Sequence, residues 1–264
     1  MLTPQLTLYP SLKNKVVFIS GGSSGIGAEI VRAFAAQGSI VAFNGTKPGG
    51  GDALIEEITK AGHAAPYYEP CDVRDIPALQ AMLHRVCDKF GAIQVLVNNA
   101  GRDDRHSLQE LTPEYWDNCL NINLRHQVFA TQTVAARAQL AGAKASIINM
   151  GSISWMRGRP NLIGYTSSKA AISGMTRSLA RELGEFGIRV NALVPGAIVT
   201  ARQSDLWRNP DEDKKFIELQ CLNFRLESIH VAKPTLFLAS DDSEGITGHN
   251  LIVDAGLAQV SVVG

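Results

Sequence analysis

The sequence predicts an α/β fold: one doubly wound parallel sheet of about seven strands, covered by helices on both faces. Three observations carry that expectation. Seven short apolar runs rich in β-branched residues alternate with longer segments of helical periodicity across 264 residues. The runs are continuously apolar, as in strands buried on both faces of a parallel sheet. Five of the helical segments end at a glycine, where a left-handed cap residue stops a helix.

The first strand is expected at 16–20, running through a glycine turn into a helix at 25–37 that stops at Gly38. A second strand at 40–44 leads through the Pro/Gly loop 47–51 into a helix at 51–61, ended by Gly62. Strand 64–68 precedes helix 76–90 and Gly91. Strand 93–98 precedes the longest helical stretch, 113–141, which opens on Pro113 and closes at Gly142. Strand 145–150 is followed by helix 167–186, Gly187 and strand 188–194. There the rhythm breaks. From Gly196 to about Glu227 no strand is expected, only a short helix around 211–222. In a compact domain such an excursion reads as a lid over a binding site. Helix 228–240 and strand 250–253 complete the pattern. No composition break divides the chain, so residues 1–264 are read as a single domain with a lid at about 196–227.

Lysine plus arginine and aspartate plus glutamate both number 25, so no net field draws the chain to nucleic acid or an anionic membrane. Four scattered cysteines without a C-x-x-C pair argue against a zinc site and a disulfide framework, and no metal is expected. No apolar run reaches the ~18 residues that cross a bilayer. The N-terminus lacks the order of a signal peptide, so a cytoplasmic protein is expected.

Gly21, Gly25 and Gly27 occupy the turn between the first strand and its helix, with Ser23, Ser24 and Ile26 between them. A glycine turn there lets backbone approach a pyrophosphate, and the helix N-terminus offers free N–H groups and a positive dipole end. This is the Rossmann-type arrangement for a dinucleotide. The Gly-x-x-x-Gly-x-Gly spacing resembles the short-chain dehydrogenase/reductase family, and the resemblance continues along nearly the whole chain. Asn98-Asn99-Ala100-Gly101 closes the fourth strand, Asn123 lies in the following helix and Ser152 follows the fifth strand. Tyr165-Thr166-Ser167-Ser168-Lys169 opens the next helix, and Pro195-Gly196 ends the sixth strand. One departure is small: Ser20 stands where the family usually has threonine, and a hydroxyl is kept.

The resemblance implies a nicotinamide-dependent oxidoreductase with Asn123, Ser152, Tyr165 and Lys169 as its catalytic group. Asp72 and Val73 would meet the adenine, and Asn99, Ala100 and Gly101 would border the ribose. Pro195, Gly196, Ile198 and Thr200 would hold the nicotinamide end. Tyr165 and Lys169 are four apart and share a helix face. A tyrosine can take the proton of an alcohol only if its pKa falls from about 10, and the Lys169 cation, helped by the positive ring of the oxidised nicotinamide, is expected to lower it. Ser152 would orient the reacting oxygen. Asn123 would anchor a water relay to Lys169.

NAD enzymes of the family usually carry aspartate at the end of the second strand, where it repels a 2′-phosphate. Here that position is Gly45, followed by Thr46 and Lys47, while Ser24 stands where a basic residue often precedes the second turn glycine. NADP is the expected cofactor, with NAD the alternative.

The polar run Arg102-Asp103-Asp104-Arg105-His106 and the run Gly151-Ser152-Ile153-Ser154-Trp155 suit a polyol. Both resemble bacterial aldose 1-dehydrogenases, as does Asn-Leu-Arg-His at 123–126. A small sugar oxidised at C1 to a lactone is the expected substrate, bound by Arg105, Ser152, Ser154, Trp155, Tyr165 and Gln203. Reduction of a 3-oxoacyl or other keto substrate, or oxidation of a sugar acid, is the rival. His126 is read as a packing residue on its helix. The resemblance further implies a homotetramer.

Overall fold

A computed structural model describes residues 6–201 and 210–259. Seven strands form one parallel sheet: β1 Val16–Ile19, β2 Ile40–Gly45, β3 Tyr67–Pro70, β4 Val95–Asn98, β5 Ala145–Met150, β6 Ile188–Pro195 and β7 Asn250–Val253. Their order is β3-β2-β1-β4-β5-β6-β7, and every pair is parallel. The order reverses between β1 and β4, and a doubly wound sheet opens its ligand crevice at that switch point.

Period-two alternation divides the strand side chains between two cores. Val17 and Ile19 face one way, onto α1 (Gly25–Ala36) and a later helix, Ser228–Ala239. Val16 and Phe18 face the other, onto α3 (Ile76–Phe90), α5 (His126–Leu140) and α6 (Ile163–Leu183). Both sets are buried, which explains the unbroken apolar runs. Between them lie α2 (Asp52–Lys60) and α4 (Pro113–Leu120), and α7 (Pro210–Glu218) precedes the 228–239 helix, α8. Gly38, Gly62, Gly91, Gly142 and Gly187 all take positive φ, as their place after helices predicts.

Four boundaries differ from expectation. β3 starts at Tyr67 instead of 64, because Pro66 has no N–H to give the ladder. The stretch expected as one helix over 113–141 is interrupted by a π-helical turn, Asn121–Arg125, between α4 and α5. α6 begins at Ile163 instead of 167, just after Asn161 in left-handed geometry, so Tyr165 sits inside the helix's first turn. In the 196–227 excursion Val199 pairs with Glu227 as an isolated parallel bridge, which ties its two ends together. Among the described residues no helix is long and apolar enough to cross a membrane. Among them, too, no cluster of His, Cys, Asp and Glu could hold a metal ion.

Candidate active site

The turn after β1 is built for close backbone approach. A Cβ on Gly27 would lie 2.1 Å from the Gly21 carbonyl oxygen and 2.6 Å from Asn99 Nδ2, so no side chain fits. Ser20 Oγ accepts from the Asn99 and Ala100 amides at 3.0 and 3.1 Å, and Asn99 Nδ2 donates to the Ser20 and Gly21 carbonyls. The serine that replaces the family's threonine thus performs the hydroxyl's work. Asn44 Oδ1 accepts from the Gly21 amide, and its Nδ2 donates to the Cys71 carbonyl, joining the turn to β2.

These elements wall one side of a cleft of about 570 Å³ at the carboxyl edge of the sheet. Of the residues expected there, Gly21, Ser23, Ser24, Gly25, Ile26, Gly27, Gly45, Thr46, Asp72, Val73, Asn99, Ala100, Gly101, Ser152, Tyr165, Lys169, Pro195 and Thr200 line it together. Three expected cofactor residues do not. Lys47 is exposed in its loop, where Tyr68 donates to its carbonyl. Ile198 is buried in the core, and a Cβ at Gly196 would be 2.6 Å from Asp254 Cβ, so both shape the wall from behind. Gly45 is buried, and a Cβ there would sit 2.5 Å from Ser23 Oγ. Asp72 pairs with Arg74 at 2.6 Å, which holds its carboxyl below the usual carboxylate range, while Asp75 caps α3. An extended cleft whose turn glycines Gly21 and Gly27 leave no room for a side chain, with a helix N-terminus at one end, fits a dinucleotide.

At the other end stand three of the four groups expected to do chemistry, Ser152, Tyr165 and Lys169, while Asn123 is buried behind the lining. Lys169 is 3% exposed, its Nζ donates to the Met150 carbonyl at 2.8 Å, and it lies 5.5 Å from the centre of the Tyr165 ring. Burial pulls its pKa down to about 8, against the opposing pull of the Asp103 carboxylate. The Tyr165 phenol is pushed up to about 12, first by burial and then by Asp103, while a hydrogen bond with Ser152 works downward. Within the protein itself, burial outweighs the downward influences on this phenol. The ammonium donates to Met150, and Ser152 and, more weakly, the Arg159 charge favour the phenolate. Ser152 Oγ also accepts from the Ser154 amide, which fixes the serine at the start of a short helical turn.

Asn123 lies in the π-helical turn and is wholly buried. Its Nδ2 donates to the Cys119 and Arg102 carbonyls at 3.0 and 3.1 Å, and its Oδ1 accepts from the Arg102 amide at 2.8 Å. A single asparagine so fastens the loop after β4 to the helix break, a common place for functional π-bulges. His126, one turn of sequence on, packs as expected and adds a hydrogen bond. It is 0% exposed, its Nε2 lies 3.1 Å from the Ala100 carbonyl, and burial and the Lys169 charge hold its pKa down to about 4. The ring is neutral and donates to the backbone beneath the cleft.

The expected substrate residues divide. Ser152 and Tyr165 line the cleft; Arg105 and Trp155 are exposed outside its lining, and Ser154 is buried behind it. Gln203 lies outside the described residues. Arg102, Asp103 and Ile122, left off that set, do line the cleft.

The family model described as enoyl-(acyl carrier protein) reductase matches residues 21–258. A D-xylose 1-dehydrogenase from Caulobacter vibrioides is 45% identical over 94% of this chain and 98% of its own. The chain belongs to the short-chain dehydrogenase/reductase family. A protein described as a probable galactose dehydrogenase from Rhizobium meliloti is 42% identical over 94% of this chain and 97% of its own. A blue fluorescent protein from a metagenomic library, solved with NADPH, superposes with a TM-score of 0.83 at 34% identity, covering 94% of this chain and 99% of that one. The dehydrogenase is an oxidoreductase of the NAD(P)-using type, and the cleft described above has the shape that cofactor class requires.

Proposed function

We propose that this enzyme oxidises the C1 hydroxyl of an aldose to the lactone, with NADP preferred over NAD. The observation that carries the sugar reading is its match, nearly end to end, to a D-xylose 1-dehydrogenase. A cleft whose substrate end is polar, with Arg102, Asp103, Ser152 and Tyr165 on its walls, supports it. The anomeric hydroxyl sits between Ser152 and Tyr165. Ser152 orients its oxygen, and Tyr165 takes its proton as C1–H breaks. When bound, an oxidised nicotinamide supplies the hydride acceptor and a positive ring beside the phenol. Lys169 keeps further N–H donors beyond the one it gives Met150, enough to hold a ribose hydroxyl in place. The ring oxygen stays bonded to C1, so the first product is a lactone.

NADP is favoured by what ends β2. No carboxylate stands at Gly45 to repel a 2′-phosphate, and Thr46, with its hydroxyl, follows it on the cleft wall. The NADPH complex of the metagenomic relative agrees. A panel of aldoses with each cofactor, followed by absorbance of the reduced nicotinamide, tests both statements. Lactone formation with NADP from a pentose or hexose is expected. Silence on every aldose, with brisk reduction of a 3-oxoacyl thioester, would replace the sugar reading.

A further inference from the structure

Asp103 is a half-buried carboxylate that shares a cleft with Ser152, Tyr165 and Lys169. The loop that carries it is fastened on both sides. Before it, the Arg102 amide and carbonyl are both bonded to the Asn123 side chain. After it, the Asp104 carbonyl accepts from Tyr115 Oη at 3.2 Å and the His106 amide donates to the Asn161 carbonyl at 2.9 Å. The neighbouring carboxylate, Asp104, is neutralised by Arg102 at 3.0 Å. Asp103 has no hydrogen bond or ion pair with any described residue. Its charge reaches the catalytic groups instead, raising both Tyr165 and Lys169. That keeps the lysine charged but opposes proton abstraction by the tyrosine, and the carboxylate itself faces the cleft beside Ser152 and Tyr165, where a substrate would meet it.

We propose that Asp103 selects uncharged sugars over acidic ones: its carboxylate accepts hydrogen bonds from substrate hydroxyls and repels a substrate that carries its own carboxylate. The proposal rests on the aldose reading above and deepens it. An ionised carboxylate is acceptor-only, so it is matched by a polyol, which presents O–H donors, and mismatched by an anion. In a cleft partly shielded from water the like charges repel far more than in solution. Discrimination is thus built from repulsion as well as attraction.

A neutral hexose and its uronic acid test this cleanly, because they share the C1 hydroxyl and differ at a remote carbon. With D-galactose and D-galacturonate, the wild-type enzyme is expected to favour the neutral sugar by about a hundredfold or more in kcat/KM. Asp103→Asn should narrow that ratio at least about tenfold, mainly through KM for the uronate. Asp103→Glu should keep the discrimination, and KM for the cofactor should stay put in both variants. An unchanged ratio in Asp103→Asn, with the neutral sugar still oxidised and cofactor KM intact, overturns the proposal alone. Failure of the wild-type enzyme on every neutral aldose overturns the aldose reading and this proposal with it.

Discussion

Lys169 carries a stability cost that can be measured. Its ammonium is 3% exposed and has the Met150 carbonyl as its hydrogen-bond acceptor. The fall from the ordinary 10.5 to about 8 corresponds to about 3 kcal/mol lost at neutral pH. Lys169→Met keeps the length of the side chain and removes the charge. It also leaves the Met150 carbonyl short of a donor, which costs about 1–3 kcal/mol. The variant should therefore be as stable as the wild type at pH 7, or up to about 2 kcal/mol more stable, while it loses turnover. Its pH dependence is the sharper readout. Below the folded-state value of about 8 both states hold the proton and the cost is fully present. As pH rises from there towards 10.5 the folded protein releases the proton first, the unfolded chain binds more, and wild-type stability climbs. The gap between variant and wild type should shift by about 2 kcal/mol between neutrality and about pH 9.5. Urea unfolding without cofactor, followed by fluorescence of the three tryptophans, measures it. Parallel stability curves for the two proteins would refute the buried-ammonium account.

Tyr165→Phe removes the proton acceptor and should cut kcat by about 10²-fold or more while the cofactor dissociation constant barely moves; near-normal turnover would rule out the assignment. Gly27→Ala drives a Cβ into the Gly21 carbonyl, so it should weaken cofactor binding at least about tenfold in a fluorescence titration, and unaltered binding would mean the turn is not the pyrophosphate site. Gly45→Asp should move kcat/KM towards NAD by about 10²-fold, the new carboxylate repelling the 2′-phosphate. Because its Cβ meets Ser23 Oγ at 2.5 Å, the single variant should also lose stability that Ser23→Gly restores. A wild-type enzyme indifferent to NADP would end that argument.

What was legible in the sequence is what local spacing encodes. The glycine turn, the strand runs and the Tyr165–Lys169 interval each depend on a few neighbouring residues, and the structure places them as expected. The misreadings depend on distant partners or on a single awkward residue. The start of β3 was set by Pro66, hidden inside an apolar run. The π-helical turn left no trace in periodicity, because it adds one residue's worth of slack within a continuous helical pattern. Arg105 and Asp103 are two residues apart in one polar loop, and spacing alone could not say which faces the cleft. The bonds from Asn123, Tyr115 and Asn161 decide it, and all three lie at least 11 residues away from the positions they hold. The packing expected of His126 holds, and only its hydrogen bond was hidden, for a related reason. A histidine beside Arg125 on a helix reads as packing alone until the Ala100 carbonyl, 26 residues back, is seen under its ring.

The charge states around Gly101 depend on one another, and this explains why so many polar groups are buried there. A Cβ on Gly101 would lie 2.8 Å from Asn123 Oδ1 and 3.4 Å from Lys169 Nζ, so backbone, amide and ammonium crowd one small volume. A second cation there would be prohibitive, and His126 accordingly stays neutral, its pKa depressed by burial and by the Lys169 charge. Neutral, it can donate to the Ala100 carbonyl and keep the Asn99–Gly101 backbone in line with the cleft. Lys169 in turn keeps its proton at neutral pH although burial opposes it, and the Asp103 carboxylate across the cleft is one reason. Burial first and then the same carboxylate push the Tyr165 phenol up to about 12, so the carboxylate helps the lysine and hinders the tyrosine at once. A bound oxidised nicotinamide would add a positive charge that works with Lys169 against the burial that raises the phenol. Activation then depends on what binds, and the fold's contribution is to keep the lysine charged, the histidine neutral and the loop between them still.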